Sequence, residues 1–272
     1  MRMVTNRFLR PFAFVIALMA VVPSLPVHAQ DAQTALDRMW AAYRAIDALH
    51  VSVKWTAKYS GGISADDVPL PGPDAMELRL QRPNKLFLAA VSSRFGKPAT
   101  FQIVSDGSSL WYWRSWTNTY MQMKAPATLS EIARLLPDDA IGVSDGSTWE
   151  ILNIFEWDAL TATAPPPSVT NVRGVRLAMN TEALGNARVN VVRMIQELDP
   201  APITVEQHFY IDPETQIVRG LGMLTRGKHP ESGRDFAVDA RGAYGVYTTN
   251  PTFDASDFAF VAPRGSKPAA VR

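Results

Sequence analysis

Leu36, Met39, Trp40, Tyr43, Ile46 and Leu49 recur at spacings of three and four. They form one apolar stripe of a 3.6-residue period, which predicts an amphipathic helix. At His50 the period drops to two. Val51, Val53, Trp55, Ala57 and Tyr59 alternate with His50, Ser52, Lys54, Thr56 and Lys58, the pattern of a strand with one wet face. Gly61-Gly62 and the run Pro69 to Pro73 predict a long loop. A second strand sets Met76, Leu78 and Leu80 against Glu77, Arg79 and Gln81. Further strands are predicted over 86–91, 100–104 and 109–113, with Asp106-Gly107 as a hairpin turn, and a short one over 120–123.

The middle of the chain changes character. Thr128-Leu-Ser-Glu131 and Ser147-Thr-Trp-Glu150 both fit a capping box, in which hydroxyl and carboxylate satisfy free amides at a helix start. Apolar groups follow each, Leu129, Ile132 and Leu136, then Ile151, Ile154 and Phe155, so two short helices are expected. After Pro165-Pro166-Pro167 the strand pattern resumes over 172–179, 187–196, 204–211, 216–225, 236–247 and 258–261. Helix, strands, two helices and strands in that order predict an α+β fold with one large antiparallel sheet.

Residues 1–29 read differently. Arg2, Arg7 and Arg10 precede the uncharged run Phe12 to Val22, and Val27-His28-Ala29 ends in small side chains. These three parts predict a cleaved secretory signal; eleven apolar residues are too few to span about 30 Å of hydrocarbon. Residues 30–272 are then expected to work outside the cytoplasm as a soluble, unanchored protein. Losing three arginines leaves 24 basic residues against 26 acidic ones, a formal charge of −2, with nothing basic to recruit nucleic acid or an anionic bilayer. There is no cysteine, hence no disulfide, no thiol chemistry and no cysteine to carry a lipid anchor.

Templates for catalysis fail in turn. His50, His208 and His229 form no H-x-x-x-H or H-E-x-x-H pair, so no metal site is expected. No nucleophile elbow, phosphate loop or dinucleotide turn occurs; Gly142-Val-Ser-Asp-Gly146 lacks the strand that an elbow requires. The expectation is a protein without enzymatic activity or cofactor. What is plentiful is apolar bulk. Seven tryptophans include three in Leu110-Trp-Tyr-Trp-Arg-Ser-Trp116, which predicts either a strand buried on both faces or the wall of a cavity.

Several segments resemble the LolA and LolB type of periplasmic lipoprotein carrier. Met76-Glu-Leu-Arg-Leu-Gln-Arg82-Pro83-Asn84 is similar to the carriers' strand ending in Arg-Pro-Asn. Ile103-Val-Ser-Asp106-Gly107-Ser-Ser-Leu-Trp111-Tyr112 resembles a hairpin of that family, and Phe258-Ala-Phe260-Val-Ala-Pro263-Arg-Gly265 its C-terminal strand. The resemblance implies an unclosed β-barrel, a strongly curved sheet whose helices form a lid over a hydrophobic cavity for acyl chains. It also implies that the arginine of the Arg-Pro pair points inward and bonds the lid. Arg82 shares its face with Met76, Leu78 and Leu80, in agreement. The chain is longer than such carriers, with the extra length around the middle helices and Pro165.

The expectation is a single domain over 30–272 with lid helices at about 128–160, carrying lipid chains or lipoproteins and meeting a membrane-protein receptor. The candidate lipid- and lid-binding residues are Arg82, Pro83, Trp55, Leu78, Leu80, Trp111, Trp113, Leu129, Ile132, Leu136, Ile151 and Phe155. The alternative is a sensory or protein-interaction module on the same fold.

Overall fold

The computed structural model describes residues 27–64, 73–93, 98–135, 155, 172–198, 203–229 and 232–269. Residues 1–26 of the expected signal (1–29), the second capping box, Leu136, Ile151 and the proline run lie outside them. Helix α1 (Val27–Arg44) buries Leu36, Met39, Trp40 and Tyr43 on one side. It stops before the apolar stripe does: Ile46 lies in the following turn and Leu49 in the first strand. Asn250 Oδ1 takes the amides of Asp47 and Ala48 there, at 2.8 and 3.3 Å, so the chain leaves the helix without stranding them.

The strands are β1 (Ala48–Ser60), β2 (Ala75–Gln81), β3 (Lys85–Ser92), β4 (Ala99–Asp106), β5 (Ser109–Arg114) and β6 (Thr119–Lys124). After helix α2 (Leu129–Leu135) come β7 (Val172–Leu184), β8 (Ala187–Leu198), β9 (Ile203–Ile211), β10 (Val218–Lys228) and β11 (Asp235–Thr249). A 3-10 turn (Ala255–Phe258) and the two-residue β12 (Lys267–Pro268) close the sequence of elements. All twelve strands among the described residues share one sheet, ordered β12-β6-β5-β4-β3-β2-β1-β11-β10-β9-β8-β7. Pairing is antiparallel except where β12 runs parallel to β6. The end strands do not meet, so the sheet is unclosed. Flat, it would be about 50 Å wide at roughly 4.8 Å per strand. Instead, buried side chains of α1, β1 to β5 and β8 to β11 join in one cluster, which requires the sheet to curve around them.

Two turns show why the local sequence folds as it does. Asp106 Oδ1 accepts the amides of Ser108 and Ser109 at 2.7 and 2.8 Å while Gly107 takes φ +97°, which closes the β4–β5 hairpin. Glu131 Oε2 accepts the Thr128 amide at 3.2 Å, the carboxylate half of the capping box at α2.

The strand expected over 258–261 is absent from the sheet. Phe258 ends the 3-10 turn, and Phe260 stacks on Trp111 with ring centroids 5.8 Å apart. This segment lies over the outer face of β3 to β6, where its large apolar side chains are better used covering tryptophan than extending a ladder. Arg79, bound to Asp257 at 3.1 Å, ties it to β2.

Candidate functional site

The β2–β3 hairpin turns through Arg82-Pro83-Asn84, and each residue of this corner holds a different part of the chain. Arg82 donates its backbone amide to Asp47 O at 2.9 Å, fixing the corner to the turn between α1 and β1. The peptide bond to Pro83 is cis. The two Arg82 Nη atoms donate to the carbonyls of Ile46 and Phe155, and the guanidinium lies 4.2 Å from the Phe155 ring centroid. One planar cation thus uses its edge for carbonyls and its face for an aromatic ring, which an ammonium would not reproduce. Pro83 O accepts the Leu129 amide at 3.0 Å, at the first turn of α2. Asn84 Nδ2 donates to Gly107 O at 3.0 Å and Pro126 O at 2.7 Å, and its carbonyl takes the buried Ser105 hydroxyl at 2.7 Å.

This corner therefore meets both α2 and residue 155. Leu129, Ile132 and Phe155 are at most 1% exposed and belong to the same cluster as Leu78, Leu80 and Trp55. Trp111 and Trp113 are not among them. Alternation along β5 sends Leu110 and Tyr112 to the core and turns both tryptophans to the opposite face. There Trp111 meets Phe260, and Trp113 Nε1 donates to Asn118 Oδ1 at 3.3 Å.

Within the core two polar atoms, Trp55 Nε1 and Tyr112 Oη, are buried without a hydrogen-bond partner among the described residues. Burial pushes the Tyr112 hydroxyl pKa well up, so it stays a neutral donor. Sequence reasoning did not single out Tyr112; its alternation with Trp111 was the available signal. A groove of about 500 Å³ lies along β1 to β3 and β11, where Ser52, Lys54, Glu77 and Val91 line it together with the buried Val53, Met76 and Ala90 and with Tyr244. Among the described residues no group of three or more acidic or histidine side chains is placed to hold a metal.

Residues 32–143 match the model of a family described as a predicted periplasmic protein (DUF2092). The match runs from α1 through α2, taking in β1 to β6 and the Arg82-Pro83-Asn84 corner, and covers less than half of the chain. No curated protein matches. Among the described residues no helix is long and apolar enough to cross a membrane.

Proposed function

We infer that this chain is a periplasmic carrier or chaperone, of the kind the LolA and LolB resemblance implies, that shelters acyl chains against the inner face of its sheet. The observation carrying this reading is the Arg82 contact with Phe155. An otherwise apolar cover, Phe155 with Leu129 and Ile132, is held at its rim by hydrogen bonds that can be exchanged. Loading requires the cover to move and a hydrocarbon chain to take its place. Enclosing sixteen carbons is worth on the order of 10 kcal/mol at about 0.8 kcal/mol per methylene, enough to offset the displaced contacts. Trp55 Nε1 and Tyr112 Oη, without a partner among the described residues, offer donors to an ester or amide carbonyl that an acyl chain brings with it. No catalytic group is assigned.

Protein purified from its own cell envelope should release acyl species on organic extraction, seen as a mass loss in native mass spectrometry. A fluorescent sixteen-carbon fatty acid should bind saturably, and Arg82→Leu should change its uptake and release far more than the melting temperature. Arg82→Lys should rescue poorly. Bound lipid should alter amide exchange over Leu129–Leu135. An empty protein with no saturable uptake would overturn the carrier reading in favour of an interaction module with a self-filled core.

A further inference from the structure

The two ends of the sheet are finished differently. At one end β12 covers the outer edge of β6. At the other, β7 pairs with β8 on one side, and among the described residues no strand covers its second edge. That edge is thirteen residues long, about 43 Å of amides and carbonyls at roughly 3.3 Å per residue. It contains neither proline nor lysine; its register shift lies at the start of the strand, between Val172 and Val175, and its exposed charges, Arg176 and Glu182, are of opposite sign.

We propose that this edge pairs with β7 of a second copy, antiparallel, about a two-fold axis at Met179. A two-fold perpendicular to the sheet keeps both inner faces on one side, so residues of equal parity must oppose each other. With the axis at Met179, Leu177 faces Thr181 of the second copy and Arg176 faces its Glu182. The symmetry repeats that ion pair on the other side. An axis at Ala178 puts Arg176 opposite Asn180, and one at Asn180 puts it opposite Leu184; neither makes a charge pair. Both charged groups have room to respond: Arg176, 70% exposed, reaches Glu197 only at 3.4 Å, and exposed Glu182 accepts from Asn180 at 2.8 Å. On the inner face Leu177 and Met179, half-buried against the core, gain cover from the second copy. The surface recognises itself by charge and by parity together.

The test uses the mature chain, by sedimentation over a concentration series. A dimer should form. Arg176→Glu and Glu182→Arg, each placing like charges opposite each other, should raise its dissociation constant about tenfold or more, and the double reversal should restore it. Because the chain has no cysteine, Met179→Cys gives an unambiguous second readout: mild oxidation should link two copies through the axis. A monomer at every concentration would overturn the proposal. So would a dimer that ignores both charge reversals and fails to cross-link at position 179, since that dimer uses another surface. Folding is controlled by the melting temperature at concentrations where the chain is monomeric, which the exposed Arg176 and Glu182 substitutions should leave unchanged.

Discussion

Tyr43 and Tyr247 meet hydroxyl to hydroxyl, 2.5 Å apart, and join α1 to β11 inside the protein. Tyr244 stacks on the Tyr247 ring at 5.5 Å and fixes its plane. Burial raises the Tyr43 pKa to about 12, and that of Tyr247 further, because neither phenolate is solvated there. Tyr43→Phe takes from Tyr247 the hydroxyl it meets and should cost about 1–3 kcal/mol in urea unfolding, while Tyr247→Phe should cost less, because the Tyr43 hydroxyl keeps its hydrogen bond with the Val218 backbone. The double variant should be less destabilised than the two losses added together. Below pH 10 the folded and unfolded chains both keep these protons and the contribution is complete. As pH rises from 10 towards 12 the unfolded chain ionises first and stability falls. The double phenylalanine variant should lose less over that window.

A second prediction concerns Gly242, opposite Trp55 in the β1–β11 ladder. A Cβ there would lie 2.8 Å from Trp55 Cε2 and 3.1 Å from Val53 Cγ1. Gly242→Ala should destabilise by about 1–3 kcal/mol through overpacking. Trp55→Leu in the same chain should recover part of that loss if crowding is its cause. Equal losses in both backgrounds would point to the backbone instead.

His208 provides an acid-side test. Burial lowers its pKa, while Glu206, whose Oε2 lies 3.4 Å from Nε2, opposes the shift; Arg193 adds to it and Asp239 opposes it. A histidine with a depressed folded pKa contributes its stability above the ordinary value of 6.5 and loses it as pH falls below that. Melting temperature should drop on going from about pH 7 to about pH 5. His208→Gln should flatten that slope, and an unchanged slope would assign it to other groups.

Processing is the fourth expectation. Export should remove residues through Ala29 and leave Gln30 as the first residue, read directly by intact mass. That cut falls three residues inside α1, well before the stripe that begins at Leu36. A mass retaining Phe12 to Val22 would remove the signal reading.

The elements with strict periodicity were legible in the sequence for a physical reason. Leu36, Met39, Trp40 and Tyr43 must share one helix face, and Met76, Leu78 and Leu80 one strand face, whatever surrounds them. Phe258 and Phe260 misled because apolar side chains in a short run serve a covering segment as well as a strand. Trp111 and Trp113 misled because the local pattern cannot tell which face of β5 joins the core and which meets the C-terminal segment. For the site, parity with Leu80 points Arg82 inward. Its partners, the carbonyls of Ile46 and Phe155, are backbone atoms far away in sequence and carry no side-chain signature.

The seam between β1 and β11 has a consequence for how the molecule assembles. Leu49 pairs with Thr249, two hundred residues later, while β2 to β6 can form by successive neighbouring hairpins. During synthesis β1 therefore waits with one edge bare until β11 has emerged. Loop-closure entropy makes such a contact slow to form. Pulse-labelled refolding should protect β3 to β5 amides before those of β1 that bond β11. The first strand to emerge is among the last to be completed, and that interval is when a folding helper has most to protect.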